Sequence, residues 1–478
     1  MLLRRFYDDK LAQASYLVGC QATGEALVVD PHRDVECYVR AAEQEGLRIT
    51  HVTETHIHAD YASGTRELAK RTGARMYLSD EGDADWKYEF GIGEGAVALK
   101  DGDTFKVGNV LIEALHTPGH TPEHMSFLLT DTAGANEPMG VFTGDFVFVG
   151  DVGRPDLLER AAGFEDTMEE AARTLFDSLE RFKALPDYLQ LWPGHGAGSA
   201  CGKSLGAVPQ STLGYERMFN WAFALEERAD FVAAVLAGQP EPPKYFAEMK
   251  RINKAGPRIL GGYRRPERLP ESRLADLLSS GALVVDTRKT EDFAAGHLPG
   301  AISIPLDRSF TTWAGWLIPY DREFYLIVED EAGVDEAARD LMLIGLDRIG
   351  GYFGAAAIAT WEGNGRKLAK MAEISSDELA ARVSANDVAV IDVRGSVEWE
   401  AFHIPGAANI PLGYLSERLD ELPREGTVVL HCQEGWRSGI GASLLEARGI
   451  TNVANLKGGI RAWVADGRPV DRSGAGGG

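Results

Sequence analysis

The stretch THIHADY, residues 55–61, decides how the first half of this chain is read. It closes a strand-like run, RITHVTET, and leads through Gly64 into a helical stretch, TRELAKR, that stops at Gly73. His56, His58 and Asp60 therefore sit on a loop at a strand end. Side chains at i, i+2 and i+4 converge when the backbone is extended or looped, and two imidazoles with a carboxylate suit a transition metal.

Three further loops repeat this design. In HTPGHTPEH (116–124) the histidines stand four apart, but Pro118, Gly119 and Pro122 forbid a regular helix. A strand, TFKV then VLIEAL, feeds a tight turn with His120 at its tip, and His116 and His124 are expected to support it. VFTGDF delivers Asp145 after a buried strand, and LQLWPGHG delivers His195 after another. Each loop alone is weak evidence. Four strand-end loops carrying these residue types in this order point to one metal site at a sheet edge.

This order, HxHxD, then PGHT, then TGD, then PGHG, resembles the metallo-β-lactamase superfamily over roughly residues 1–250. The resemblance implies an αββα sandwich with the metal at one edge. Hydrolytic relatives such as glyoxalase II read HxHxDH, and their final His holds a second metal. Here that position is Tyr61, which leaves only Asp60, Asp145 and His195 for a second ion. The pattern is similar to the persulfide dioxygenase branch instead. Carried over by motif, that resemblance implies one Fe(II) per chain on His56, His120 and Asp145, with His58, Asp60, Tyr61 and His195 orienting ligands or substrate. Cys201, six residues after His195, has two open readings. It is either a small buried residue or a thiol that relays sulfur, with Lys203 lowering its pKa. Cys20 and Cys37 read as structural.

The second half contains a repeat. VVDTRKTEDFAAGHLPGAISIPL (284–306) matches VIDVRGSVEWEAFHIPGAANIPL (390–412). Asp286 and Asp392, Arg288 and Arg394, and His297 and His403 are all 106 residues apart. That period is too long for a solenoid unit and reads as two tandem domains. Buried-strand runs alternate with helical patterns, as in an α/β domain with a mainly parallel sheet. A Pro-, Gly- and Arg-rich segment, 254–270, separates the halves, and the tail SGAGGG reads as disordered.

In VVLHCQEGWRSG (428–439) a strand leads to Cys432, a short loop and a helix. A Cys at that turn faces backbone N–H groups and the positive helix end, an environment that stabilises a thiolate or a persulfide. Together with IDVR, HIPGAANIP and LKGGIRAW the segment resembles the rhodanese domain over about residues 372–470. The resemblance implies that Cys432 carries sulfane sulfur, with Arg437 drawing in the anion. The first repeat has no Cys after its strand FYLIV (324–328), only Glu329, Asp330 and Glu331. It is expected to be an inactive rhodanese-like scaffold.

Composition frames these readings. The 478 residues carry 49 basic and 72 acidic side chains, net −23, with 44% hydrophobic residues. About three domains are expected at ~150 residues each, here 1–255, 268–366 and 372–470. No apolar run is long enough for a membrane span, and no secretory signal is read at the start. The acidic balance argues against a nucleic-acid partner. Four cysteines without a CxxC fit neither a disulfide scaffold nor a Cys-rich zinc site, and favour a reducing cytoplasm.

The whole resembles the bacterial fusions of persulfide dioxygenase with rhodanese. That implies a homo-oligomer acting on a thiol persulfide of glutathione or coenzyme A type, with O₂, sulfite and thiosulfate. The direction of the rhodanese step stays open. So do two other functions, a zinc thiolester hydrolase resembling glyoxalase II and a non-oxidative sulfur carrier.

Overall fold

The computed structural model describes residues 1–157, 167–203, 205–385 and 387–472. The tail SGAGGG lies outside them. The chain divides into two compact units, one of residues 1–264 with 342–345 and one of 265–341 with 346–478.

The first unit holds two six-stranded sheets. One runs β1 (Leu2–Asp8), β2 (Gln13–Cys20), β3 (Glu25–Val29), β4 (Arg48–Thr53), β5 (Arg75–Ser79), β6 (Val97–Leu99), in that order. The other runs β12 (Ser211–Thr212), β11 (Gln190–Pro193), β10 (Gly140–Gly144), β9 (Met125–Asp131), β8 (Val110–His116), β7 (Thr104–Val107). Strand alternation assigns the two faces. Ala14, Tyr16, Val18, Leu27 and Val29 pack against Ile112, Phe127, Leu129, Phe142 and Trp192 of the other sheet. Leu17, Ala26 and Val28 point the opposite way, into a core shared with Tyr38, Val39 and Leu68 of the helices Glu36–Gln44 and Thr65–Thr72. The second sheet is covered likewise by Leu175, Phe176 and Leu179 of the helix Met168–Phe182. This is the αββα sandwich expected. With both faces covered, β2 is buried along its whole length. The helix after THIHADY ends where the sequence placed its stop, with Gly73 at φ 78°.

The second unit holds one sheet per repeat, and every pairing described in them is parallel. The first is ordered β14 (Ile302–Ser303), β13 (Leu283–Asp286), β15 (Phe324–Val328), β16 (Ile349–Gly354). The second is ordered β17 (Ala372–Ile374), β21 (Val453–Leu456), β20 (Thr427–His431), β18 (Val388–Asp392), β19 (Ala408–Asn409). Corresponding side chains do corresponding work. Arg288 is held bidentately by Asp286 and Arg394 by Asp392, each with a shortest contact of 2.7 Å. His297 stacks on Phe293 and His403 on Trp399, with centroids 3.8 and 4.1 Å apart. These histidines are structural.

Sheet register shows what the first repeat has lost. Asp286 lies opposite Ile327, and Asp392 lies opposite His431. The residue in the place of Cys432 is therefore Val328, with the acidic loop beginning one residue later. The following helix starts at Glu331, three residues on, whereas the helix after Cys432 starts at Trp436, four residues on. The loop has been shortened as well as stripped of its nucleophile.

The helix Trp436–Ala447 is buried continuously from Ser438 to Leu445. Its second face meets the first repeat. Ser443 Oγ accepts from Ser303 N at 2.9 Å, His297 Nε2 lies 3.2 Å from Glu446, and a Cβ on Gly439 would come within 2.8 Å of Thr290.

Candidate metal centre and sulfur-carrier loop

His56 and His120 arrive from different strand ends, and each is oriented through its Nδ1. Thr55 Oγ1 lies 3.0 Å from His56 Nδ1, and the Arg154 carbonyl lies 3.0 Å from His120 Nδ1. Both Nε2 atoms then face Asp145 Oδ2, at 3.9 and 3.6 Å. Donor atoms of His56, His120 and Asp145 all lie within 4.8 Å of one another. Asp145 is fully buried, and neither of its carboxylate oxygens receives a hydrogen bond. An ionised carboxylate in that state needs a cation. Burial, reinforced by the neighbouring imidazoles, holds His56 well below the usual histidine range, and burial also lowers His120. Neutral imidazoles are the ligand form. The residues present fit one divalent metal ion.

The backbone under Asp145 is closely fitted. His124, whose Nδ1 lies 2.9 Å from Thr117 Oγ1, accepts the Asp145 N–H at Nε2, 3.1 Å away. His116 Nε2 lies 2.8 Å from the Pro122 carbonyl. Both histidines thus support the turn, as their spacing around two prolines indicated.

His58 does not join the cluster. Its Nε2 is taken by Asp30 at 3.1 Å. Burial alone would lower its pKa, but the Asp30 charge and hydrogen bond outweigh that and raise it to about 9. Asp30 is a residue that sequence reasoning missed. It holds φ 52°, a left-handed conformation rare outside glycine, and also accepts from Thr55 N at 2.6 Å and Thr55 Oγ1 at 2.9 Å. The one available signal was an Asp ending the strand EALVVD. Tyr61 turns away too. Its hydroxyl donates to the Asp30 carbonyl at 3.2 Å, and burial keeps it far above the ordinary tyrosine pKa. A neutral phenol so placed is no ligand.

His195, Asp60 and Cys201 form a second group of donors within 4.8 Å of one another. His195 Nδ1 lies 3.0 Å from the Ala12 carbonyl, and its Nε2 faces Asp60 at 3.3 Å and Asp145 at 3.4 Å. Cys201 thus stands beside the two donors that Tyr61 cannot serve. Its thiol is buried. Burial, then the Asp145 and Asp60 carboxylates, push its pKa well above the usual value. Lys203 does not lower it as the spacing suggested. Its ammonium is turned to the Ala237 carbonyl, 2.6 Å away.

In the second unit Cys432 directly follows β20 and is wholly buried. Its Sγ accepts from Gly435 N at 3.1 Å and Ser438 Oγ at 3.5 Å. Gly435 (φ 102°) opens the helix Trp436–Ala447, so the sulfur faces that helix N-terminus. Gly459 (φ 57°) presses on the loop from behind, where a Cβ would collide with the Cys432 carbonyl and come within 2.7 Å of Gln433. Arg437 is not free to draw in anions. Its two terminal nitrogens grip Glu398 at 2.7 and 2.8 Å.

Comparison with known proteins places this geometry. The metallo-beta-lactamase superfamily profile matches residues 8–195, and the rhodanese-like domain profile matches 271–354 and 375–466. A hydroxyacylglutathione hydrolase of Rhodopseudomonas palustris (strain BisA53) is 30% identical over 240 residues, half of this chain and 80% of that protein. The mitochondrial persulfide dioxygenase ETHE1 of Bos taurus is also 30% identical, over 204 residues, 41% of this chain and 68% of that protein. A crystal structure of a metallo-beta-lactamase from Staphylococcus aureus subsp. aureus COL matches 74% of this chain and 98% of its own, with 47% identity and a TM-score of 0.66. Similarity alone does not separate hydrolase from dioxygenase, since both relatives stand at the same identity. With its sandwich, its strand-end cluster of His and Asp, and its paired parallel sheets, the chain belongs to the metallo-β-lactamase superfamily and carries two rhodanese-like domains behind that fold.

Proposed function

We propose that the chain is an Fe(II) persulfide dioxygenase joined to a rhodanese sulfurtransferase. The domains assigned are 1–255 for oxidation, 268–366 as an inactive rhodanese-like scaffold, and 372–470 for sulfur transfer. The observation that carries the reading is the donor set. His56, His120 and Asp145 converge, while Asp30 holds His58 aside. His56, His120 and Asp145 would hold Fe(II), which would supply binding of O₂ and of a substrate sulfur. Around that site His124 and the Arg154 carbonyl fix the ligands, and the buried walls exclude bulk water. The balanced reaction is RSSH + O₂ + H₂O giving RSH and sulfurous acid, ionised as sulfite. Cys432 then carries a second sulfane sulfur as Cys432–S–S⁻. Sulfite attacks its outer sulfur, the S–S bond breaks, and thiosulfate and the Cys432 thiolate result. Transfer in the reverse sense is chemically equivalent.

Anaerobic purification, metal analysis and O₂ uptake with glutathione persulfide test the oxidative half. One iron per chain and one O₂ per sulfite are expected. Zinc without O₂ uptake would end the dioxygenase reading. Cys432→Ser tests the coupling, since sulfite should accumulate in place of thiosulfate. An unchanged thiosulfate yield would remove that step.

One observation favours a second reading, a dinuclear thiolester hydrolase. The Asp60, His195 and Cys201 group offers three donors beside the first site. Two metal equivalents with cleavage of an acylglutathione would establish it.

A further inference from the structure

Three guanidiniums border the Cys432 loop, and each meets a carboxylate. Arg394 is held by Asp392 at 2.7 Å, Arg461 by Glu434 at 2.5 Å, and Arg437 by both oxygens of Glu398. The Arg437 pair is the one of interest, because Arg437 stands in the first turn of the helix whose N-terminus the Cys432 sulfur faces. Its side chain is 16% exposed and that of Glu398 41%, so the pair is reached by solvent and does not lie deep in the core. The Nε of Arg437 is buried without a hydrogen-bond partner, which leaves one donor of the fork unspent. The donors that do reach Cys432 Sγ, Gly435 N–H and the Ser438 hydroxyl, are uncharged.

The two sulfur donors differ in the charge they bring to this loop. Thiosulfate places two negative charges beside the reacting sulfur. The outer sulfur of a thiol persulfide brings at most one. A fork already neutralised by a carboxylate offers little to the dianion, and the carboxylate repels it.

We propose that Glu398 is a specificity-determining residue that biases Cys432 towards thiol persulfides and against thiosulfate, by occupying the fork of Arg437. The proposal rests on reading Cys432 as a sulfur carrier. In both transfers the Cys432 thiolate attacks the outer sulfur and that S–S bond breaks. The leaving group is RS⁻ from RSSH, giving Cys432–S–SH, or sulfite from thiosulfate, giving Cys432–S–S⁻. Glu398 touches neither sulfur and acts through Arg437.

The test uses the full chain with cyanide as acceptor and reads thiocyanate, with thiosulfate or glutathione persulfide as donor. Cys432→Ser comes first. If thiocyanate formation survives it, the carrier reading fails, whatever Glu398 does. With that control passed, Glu398→Gln should raise the ratio of kcat/KM for thiosulfate to that for persulfide about fivefold. The gain should lie in the KM for thiosulfate more than in kcat. Glu398→Asp keeps the charge and should hold the ratio within about twofold of the parent. Glu398→Ala serves as the second neutral variant where the Gln chain does not fold. A ratio that stays constant or falls in the neutral variants overturns the proposal, because Glu398 would then only brace Arg437.

Discussion

Replacing Asp145 by Asn should change the sign of its effect on stability according to whether metal is bound. Asp145 is fully buried and its oxygens receive no hydrogen bond, and the carboxylate of Asp60 beside it, also buried, receives none either. In the metal-free chain this carboxylate is a liability. Leaving a buried polar group without a partner costs roughly 1–3 kcal/mol, and more when it is charged. Asn keeps the shape and removes the charge but is itself an unpartnered polar group, so only the excess cost of the charge is recovered, and the metal-free variant should be more stable than the parent by about 1 kcal/mol. With iron(II) at a thousandfold excess over its dissociation constant, the parent gains about 4 kcal/mol from binding. The variant should gain almost none, because the one anionic donor of the three is gone, and the order of stability reverses. Anaerobic urea unfolding with and without iron(II) measures this. Hydrogen exchange in Gly140–Gly144 isolates the first unit from the second. A metal-free Asp145→Asn chain less stable than the parent, or one that keeps the full iron-dependent gain, would refute the reasoning.

Other perturbations follow from single contacts. Gly459→Ala should cut sulfur transfer through Cys432 by at least tenfold, because its Cβ would displace the backbone at Cys432 and Gln433; a cyanide-acceptor assay with unchanged O₂ uptake as control checks it. Burial raises Glu123 to about 7. Its ionisation is thus disfavoured in the folded state, so the stability it confers is complete below pH ~4.5 and declines as pH rises through ~7, by up to about 3 kcal/mol. Glu123→Gln, which still accepts from Ile57 N, should flatten that decline in urea midpoints measured from pH 5 to 8. His297→Ala should loosen the packing of the two repeats by about 1 kcal/mol, seen as faster exchange in the helix Trp436–Ala447. Equal exchange rates would show that the His297–Glu446 contact contributes nothing.

The site was legible where chemistry follows strand ends. A strand-like run followed at once by His or Asp, in three of the four loops through a Gly or Pro-Gly, announces both an element and its tip, so the four loops could be read one by one. Residues that act across the fold left no such mark. Asp30 reaches His58 only because β3 and β4 pair in parallel, which places their ends together. Glu398 meets Arg437 across 39 residues of chain, and no local pattern encodes that. Cys201 was read beside Lys203 because the two are neighbours in sequence. Folding buried one and sent the other to Ala237. The first repeat shows a third kind of limit. Its missing Cys was plain in the letters, but the one-residue shortening of the loop appeared only from strand register.

The helix behind Cys432 has a consequence for how such a chain can evolve. Buried on two sides, it uses the first repeat as its outer wall. A duplicated domain that loses its own chemistry is ordinarily free to drift or be deleted. Here deletion would strip bare the side of the helix Trp436–Ala447 that packs on Ser303 and Thr290, and so unsettle the repeat that carries Cys432. If only the second repeat transfers sulfur, as proposed, selection on the first should act on its packing surface, and insertions or losses should accumulate at Val328–Glu331 before they reach Thr290 or Ser303.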